Sequence, residues 1–115
     1  MVVNNAGFMS LVPFAEDDPL NHKRTVTTNI GPYVYMTKIL LPQLKEREAK
    51  SAVVFTSSVV ANGASPLMAT YCGSKAFNHK FAISLASELK DDNKIDILSY
   101  QPGVVATNMS KSKEM

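Results

Sequence analysis

Three short apolar runs alternate with two long helical segments, and this order restricts the fold more than any other feature of the sequence. Residues 1–7 begin as a β-branched run and break into Asn-Asn-Ala-Gly, and residues 95–100 form a similar run closer to the end. Residues 52–56 are continuously apolar up to a threonine, which is typical of a strand covered on both faces in a parallel sheet. Strands that alternate with helices through short connections form right-handed units with parallel strands. The sequence therefore predicts an α/β fold in the order strand-helix-strand-helix-strand.

The first helical segment has a clear start and an internal break. Asp18 followed by Pro19 combines an acidic N-cap with a proline at the first helical position, which predicts a helix from about residue 19 to 44. Within this segment Pro32 lacks an N–H group, and its ring crowds the carbonyl four residues earlier. We therefore expect a kink beside Asn29.

The second helical segment is predicted from its apolar periodicity. Ser65 followed by Pro66 predicts its start, and we expect its end near residues 91–93. Apolar side chains recur every four residues along the segment, which is the spacing of a helix face that packs on a core. These side chains are Phe77, Phe81, Leu85 and Leu89.

Length and composition exclude several classes of function. The 115 residues fit one domain, and the net charge of +2 is far below the basic excess of a nucleic-acid-binding protein. The single cysteine, Cys72, fits a reducing compartment. His22 and His79 match no metal-ligand spacing, so we predict no metal site. No apolar run approaches the roughly 20 residues that span a bilayer, so we expect no transmembrane segment.

Tyr71 and Lys75 are the residues whose spacing most suggests chemistry. Four residues apart on a helix, they lie on one face about one turn from each other. At ~5 Å and an effective dielectric of ~20, the ammonium favours the phenolate by about 3 kcal/mol, which corresponds to roughly two pKa units. The tyrosine would then approach the working pH of a general acid or base. An isolated Tyr and Lys at this spacing is more often plain helix surface, so the pair needs further support.

That support comes from motifs that occur together along almost the whole chain. They are Asn4-Asn5-Ala6-Gly7, Asn29, Ser58 thirteen residues before Tyr71, Tyr71-Cys72-Gly73-Ser74-Lys75, and Pro102-Gly103 with Thr107. In this set and order, the sequence resembles the short-chain dehydrogenase/reductase family. The runs at residues 74–77 and 105–109 resemble its branch of 3-oxoacyl-CoA reductases and 17-beta-hydroxysteroid dehydrogenases. The resemblance implies a doubly wound Rossmann-type parallel sheet, of which these residues form the middle part.

The resemblance also implies roles for particular residues. Tyr71 would be the general acid in carbonyl reduction and the base in alcohol oxidation, while Lys75 would lower the pKa of Tyr71 and hold the nicotinamide ribose. Ser58 would orient the substrate oxygen, and Asn29 would anchor a proton-relay water through its backbone. Residues near the NADP or NAD cofactor would be Asn4, Gly7, Pro102, Gly103 and Thr107 in addition to Tyr71 and Lys75.

One part of the family pattern does not occur in these 115 residues. The five glycines stand at positions 7, 31, 63, 73 and 103, so no Gly-rich turn for the cofactor's pyrophosphate is formed. We therefore expect a partial domain over residues 1–115, without the dinucleotide-binding half and the substrate loop, which by itself lacks tight cofactor binding and activity. A truncated record, a split gene product and a reduced structural relative would each give such a chain.

Two functions from different classes follow. The first is a segment of an NAD(P)-dependent oxidoreductase that acts on a carbonyl or alcohol of an apolar substrate, of the steroid or 3-oxoacyl type. The alternative is a noncatalytic structural or interaction subunit built on the same scaffold. An incomplete sheet predicts a partner, either a homodimer through the two long helices, a completing chain, or a larger assembly. We expect a cytoplasmic location, or an association with the endoplasmic reticulum in a full-length form.

Overall fold

The structure, a computed structural model, describes residues 1–111 and contains one three-stranded sheet. The strands are β1 (Val2–Asn4), β2 (Ser51–Thr56) and β3 (Ile95–Tyr100), in the spatial order β1-β2-β3. Both neighbouring pairs are parallel. The carboxyl ends of all three strands therefore lie at the same edge of the sheet, and the predicted order of strands and helices is confirmed.

The segment predicted as one kinked helix is two helices. Helix α1 (Pro19–Asn29) begins at the predicted cap, where the Asp18 carboxylate accepts the N–H of Leu20 at 2.8 Å. Helix α2 (Gly31–Glu46) follows after a single intervening residue, Ile30. The break stands where the sequence predicts it, because Pro32 has no N–H to continue the hydrogen-bond ladder of α1. Asn29 thus ends a helix instead of lying within one.

Helix α3 (Ala69–Glu88) is shorter at both ends than the sequence predicts. A 3₁₀ helix (Val59–Asn62) and a turn precede it, and in the turn Leu67 has a φ of 69°. A left-handed conformation cannot continue into a right-handed helix, so the Ser65-Pro66 pair belongs to the turn and not to the helix. A short helix, α4 (Asn108–Lys111), ends the described residues.

The apolar core lies between the helices and one face of β2. Phe55 is fully buried there, with its ring centroid 6.3 Å from that of Tyr33 and 5.5 Å from that of Phe81. Along β2 buried side chains alternate with partly buried ones, so within residues 1–111 one face of this strand is covered more fully than the other. Of the predicted stripe on α3, Phe81 packs on this core, whereas Phe77 is 40% exposed.

The interior contains more polar than apolar residues. Among residues 1–111, ten polar or charged residues are buried, compared with six hydrophobic ones. Two of the ten, Ser57 and Ser58, directly follow β2, and Ser74 and Lys75 lie in the first half of α3. Within residues 1–111 no helix is both long and apolar enough to cross a membrane.

Candidate active site

Tyr71 and Lys75 lie on one face of α3, and this face is turned towards the end of β2. The Lys75 side chain is buried, with the residue only 3% exposed, and its Nζ atom donates a hydrogen bond to the carbonyl oxygen of Thr56 at 3.0 Å. The same Nζ lies 5.6 Å from the ring centroids of both Tyr71 and Tyr33. The expected pairing of an ammonium with a phenol ring is therefore present, at the carboxyl edge of the sheet.

Burial dominates the electrostatics of this pair. It raises the pKa of Tyr71, a hydrogen bond with the Ser58 side chain lowers it, and the nearby Cys72 raises it. Burial also lowers the pKa of Lys75 to about 8. The sequence predicts a lowered pKa for Tyr71, and this is not what the structure shows, because desolvation disfavours the phenolate more than the Ser58 side chain favours it. The Lys75 ammonium donates its hydrogen bond to the Thr56 carbonyl oxygen.

Ser58 lies immediately beyond β2 and beside Tyr71. It is 9% exposed, and it caps the 3₁₀ helix through a hydrogen bond that its Oγ accepts from the Val60 N–H at 3.4 Å. Its neighbour Ser57 donates a hydrogen bond from Oγ to the carbonyl oxygen of Lys75 at 2.6 Å. Both serines are thus fixed, one to α3 and one near the phenol.

Asn29 connects three elements through a fully buried side chain. Its Oδ1 accepts the N–H of Phe8 at 2.7 Å, and its Nδ2 donates to the Phe8 carbonyl at 3.0 Å and to Ser74 Oγ at 2.9 Å. Ser74 Oγ in turn donates to the carbonyl oxygen of Tyr71 at 2.7 Å. The end of α1 therefore holds both the loop after β1 and the beginning of α3.

Asn78, which the sequence motifs do not single out, belongs to the same network. Its Nδ2 donates to the backbone carbonyl of Asn29 at 2.9 Å, and its Oδ1 is buried with no hydrogen-bond partner among residues 1–111. The signal was available: Asn78 lies three residues after Lys75, so the two share a helix face, and an amide on a buried face needs partners.

Of the residues expected near the cofactor, Gly7 and Pro102 lie beside site residues, whereas Asn4 contacts α2 and two others are exposed. A Cβ atom at Gly7 would lie 3.6 Å from Lys75 Nζ and 3.7 Å from Asn29 Oδ1, so this glycine borders the site. The Asn4 side chain instead donates to Thr37 Oγ1 on α2 at 3.3 Å. Beyond β3, the carbonyl of Pro102 accepts the N–H of Val59 at 3.1 Å and so lies near Ser58. Gly103 and Thr107 follow on an exposed segment.

No cluster of three or more His, Cys, Asp or Glu side chains suited to a metal ion occurs within residues 1–111. The two histidines each contact a hydroxyl group instead. His22 Nδ1 lies 2.9 Å from Thr70 Oγ1, and His79 Nδ1 lies 2.8 Å from Ser99 Oγ.

Sequence comparison matches the chain to a known family and to enzymes within it. The family model for short chain dehydrogenases matches residues 1–115. A very-long-chain 3-oxoacyl-CoA reductase of Vanderwaltozyma polyspora is 31% identical over an alignment of 121 positions. The alignment covers 98% of this chain and 35% of the reductase. An 11-beta-hydroxysteroid dehydrogenase A of Sesamum indicum is 33% identical, covering 97% of this chain and 31% of that protein. The chain thus spans about a third of the length of these relatives.

Solved structures confirm the fold. A short chain dehydrogenase from Burkholderia cenocepacia, solved in complex with NADP, superposes with a TM-score of 0.84 at 28% identity, over 95% of this chain and 46% of that one. A 4-hydroxyisoleucine dehydrogenase complexed with NADH and succinate gives a TM-score of 0.83 at 24% identity, over 93% of this chain and 46% of that one. The three parallel strands and their helices are therefore a part of a Rossmann-type sheet.

Proposed function

The chain belongs to the short-chain dehydrogenase family, and on this premise we propose that it is the catalytic segment of a nicotinamide-dependent oxidoreductase. The observation that carries the proposal is the placement of Tyr71, with the Ser58 side chain close enough to lower its pKa and the Lys75 ammonium 5.6 Å from its ring. A phenol, a hydroxyl and an ammonium at the carboxyl edge of parallel strands are placed where open α/β sheets bind ligands.

The phenol of Tyr71 is the proposed proton donor to a substrate carbonyl oxygen, and Ser58 is the group that orients this oxygen. Burial keeps the pKa of Tyr71 above its ordinary value, so the phenol holds its proton at neutral pH. This protonation state is the one that carbonyl reduction needs, because the oxygen accepts a proton as it is reduced. Alcohol oxidation would use the same residue as the base at higher pH.

The proposed role of Lys75 is to stabilise the phenolate that remains after proton transfer and to hold the cofactor's ribose. With a pKa of about 8, its amino group is mostly charged at pH 7. An ammonium has three N–H donors, and one is used on Thr56, so two remain for other partners. Asn29 is proposed to bind a relay water through its carbonyl, which has a second lone pair beside the one that Asn78 occupies.

The residues around Lys75 fit a nicotinamide cofactor, which supplies or accepts the hydride when bound. Gly7 leaves open the space beside the Lys75 ammonium and the Asn29 amide, which a side chain would fill. Pro102, Gly103 and Thr107 are proposed to lie along the nicotinamide carboxamide, and Asn4 and Gly7 towards the adenosine. We propose NADP or NAD as the cofactor. The Gly-rich turn for its pyrophosphate is not formed by these residues.

For the substrate we propose an apolar carbonyl or alcohol of the 3-oxoacyl or steroid type. The names of the relatives, a very-long-chain 3-oxoacyl-CoA reductase and an 11-beta-hydroxysteroid dehydrogenase, support this class. We propose a reducing compartment, with a cytoplasmic location or, for a full-length form, an association with the endoplasmic reticulum, because a chain with the single cysteine Cys72 forms no internal disulfide.

A homodimer through the long helices is the proposed assembly. Large apolar side chains are exposed along both long helical segments, α1 with α2 and α3, which would be costly in a monomer. They include Val26, Tyr35, Met36 and Ile39 on α1 and α2 and Phe77 and Ile83 on α3, with exposed fractions between 40% and 69%. The same surface supports the alternative function, a noncatalytic subunit that binds a partner on this scaffold.

A chimera distinguishes the two functions. Residues 1–111 replace the matching segment of the Burkholderia cenocepacia dehydrogenase, whose remaining residues supply the rest of the fold. We expect this chimera to bind NADPH and to oxidise it with at least one member of a panel of carbonyl compounds, chosen broadly because the substrate loop comes from the Burkholderia cenocepacia enzyme. Tyr71→Phe should reduce the rate by about a hundredfold or more, since general acid catalysis contributes ~10²–10⁴-fold.

Tyr35→Phe is the matched control, because it removes only the hydroxyl of a tyrosine exposed on α2, keeps the apolar ring on the proposed dimer surface, and should leave the rate unchanged. A chimera that binds NADPH without turnover dependent on Tyr71 would contradict the catalytic proposal and favour the noncatalytic one. The isolated chain is titrated with NADPH in parallel by fluorescence. Micromolar binding of NADPH by the isolated chain would show that these residues alone are sufficient to bind the cofactor.

A further inference from the structure

The first turn of α3, which carries Tyr71, has no side-chain cap of its own. The residue at the cap position, Met68, makes no side-chain hydrogen bond to the helix. The turn before it is exposed at Gly63 and Pro66, and Leu67 has a φ of 69°. Contacts from other elements support this turn: the Val12 N–H donates to the Leu67 carbonyl at 3.2 Å, and Asn29 reaches Ser74 one turn further on.

His22 supplies a contact to this turn from α1. Its Nδ1 lies 2.9 Å from Oγ1 of Thr70, the residue immediately before Tyr71 in the sequence. The two residues are 48 positions apart, so the hydrogen bond joins separate elements. A cavity of about 30 Å³ is lined by His22, Thr70 and Tyr71, so close packing alone does not join α1 to this turn.

The imidazole of His22 is enclosed on its other sides. Its Nε2 is buried and makes no hydrogen bond within residues 1–111, and it lies 3.7 Å from Oδ2 of Asp17, whose side chain is only 4% exposed. Asp17 is fixed by Asn21, whose Nδ2 donates to its other carboxylate oxygen at 2.8 Å. The ring of Phe14 lies against the imidazole, with the two centroids 4.7 Å apart. A carboxylate and an aromatic ring thus restrict the orientation in which His22 meets Thr70.

We propose that His22 is a positioning residue for Tyr71, acting through the hydroxyl of Thr70. This role rests on the proposed function, in which Tyr71 transfers a proton. His22 does not touch the phenol. It connects the turn before α1 to the start of α3, and so fixes how deeply the Tyr71 ring is held between Ser58 and Lys75.

The test measures the environment of the Tyr71 phenol in the 115-residue chain itself. Tyrosines are labelled with ¹³C at the ζ carbon, the Tyr71 resonance is assigned with Tyr71→Phe, and its pKa is determined by NMR. In His22→Ala the first turn of α3 should loosen and water should reach the phenol. Because burial is what raises the pKa of Tyr71, we expect this pKa to fall by about half a unit, which is roughly threefold in the acid dissociation constant.

Two further variants separate positioning from packing. His22→Asn keeps a polar group near the place of Nδ1 but loses the one near Asp17, so it should restore most of the Tyr71 pKa. Thr70→Val replaces the hydroxyl with a methyl group of similar size and should reproduce the shift of His22→Ala even if that variant folds poorly. A Tyr71 pKa unchanged in Thr70→Val, or a failure of His22→Asn to restore it, would overturn the proposal.

His79→Ala is the matched control. It removes a histidine–hydroxyl contact of the same kind, 2.8 Å from Ser99, that joins α3 to β3. The Tyr71 pKa should remain unchanged in this variant, and an equal shift would show general loosening and overturn the specific role of His22. The result is independent of turnover, so it can fail while the chimera is active, or hold while the chimera is inactive.

Discussion

Asn29→Asp is the substitution that most directly tests the network at the end of α1. The two side chains have nearly the same shape, but the aspartate replaces the donor Nδ2 with an oxygen. That oxygen would face the Phe8 carbonyl and Ser74 Oγ, which now accept hydrogen bonds at 3.0 and 2.9 Å. The bond from the Phe8 N–H to the other oxygen would remain. The variant therefore removes two buried hydrogen bonds and adds a charge.

The size of the effect follows from these two bonds. Leaving the Phe8 carbonyl without its donor costs about 1–3 kcal/mol, and Ser74 Oγ can donate to the new oxygen only by giving up the Tyr71 carbonyl at a similar cost, so the total is roughly 2–6 kcal/mol at neutral pH. Folded domains are stable by only about 5–15 kcal/mol, so the loss is a large part of the total. The position is 0% exposed, and water therefore cannot replace the missing donor.

The loss of folding stability in Asn29→Asp should depend on pH, and it should be smaller in acid than at neutral pH. In the folded variant, burial and the facing oxygens disfavour the charged carboxylate and raise its pKa above the unfolded value of ~3.9. Below that pH the carboxyl is protonated in both states, and its O–H can donate to one acceptor. The stability difference from the wild type should therefore be smallest in acid, and it should grow as the pH rises from about 4 to the folded pKa.

Urea denaturation followed by circular dichroism at pH 3.5 and pH 7.5 measures this difference. Asn62→Asp is the control, because Asn62 makes the same kind of amide contact, with Gln101, at an exposed position. We expect a change within about 0.5 kcal/mol for the control. The reasoning would be refuted by an Asn29→Asp loss that is equal at the two pH values, or no larger than that of the control.

Three further predictions concern other parts of the chain. Because burial lowers the pKa of Lys75 to about 8, the unfolded state binds its proton more tightly, so thermal denaturation should show the wild type gaining stability relative to Lys75→Met as the pH rises from 8 to 10. The hydroxyl of Tyr33 is buried and donates to the carbonyl of Ala6 at 3.0 Å. Tyr33→Phe should cost about 1–2 kcal/mol in urea denaturation and should remove the phenol that titrates at a pKa of about 12 in ultraviolet absorbance. Ile39→Lys, on the exposed face of α2, should convert a dimer into a monomer in sedimentation velocity, and an unchanged sedimentation coefficient would argue against this interface.

Local sequence signals predicted the strands and the break between α1 and α2 because each depends on neighbouring residues. The Asp18-Pro19 start and the Pro32 break act within one turn of chain, and both stand where expected. The start of α3 was mispredicted because Ser65-Pro66 is equally suited to a turn. The left-handed φ of Leu67 decides between the two, and nothing in a leucine signals it in advance.

The motif placed Tyr71 and Lys75 correctly on one helix face, but it did not predict their electrostatics. The Coulomb energy of the pair depends on a separation and a dielectric constant, which the helix spacing supplies. The pKa of Tyr71 depends mainly on how much water the fold removes from the phenol, which the spacing does not supply. The partners of His22 and Asn78 were also beyond local reasoning. Each hydrogen bond spans more than 40 residues, so it exists only after the helices have docked.

The predominance of polar residues in the interior limits how the helices can dock. Contacts between apolar side chains are non-directional, and a helix resting on them alone can slide or rotate at little cost. Hydrogen bonds require a donor and an acceptor to meet at a set distance and angle. Asn29 must reach Phe8 and Ser74 at the same time, and Lys75 must reach Thr56. Alternative arrangements of α1 and α3 would leave these groups unpaired, so a single arrangement is selected for the geometry around Tyr71.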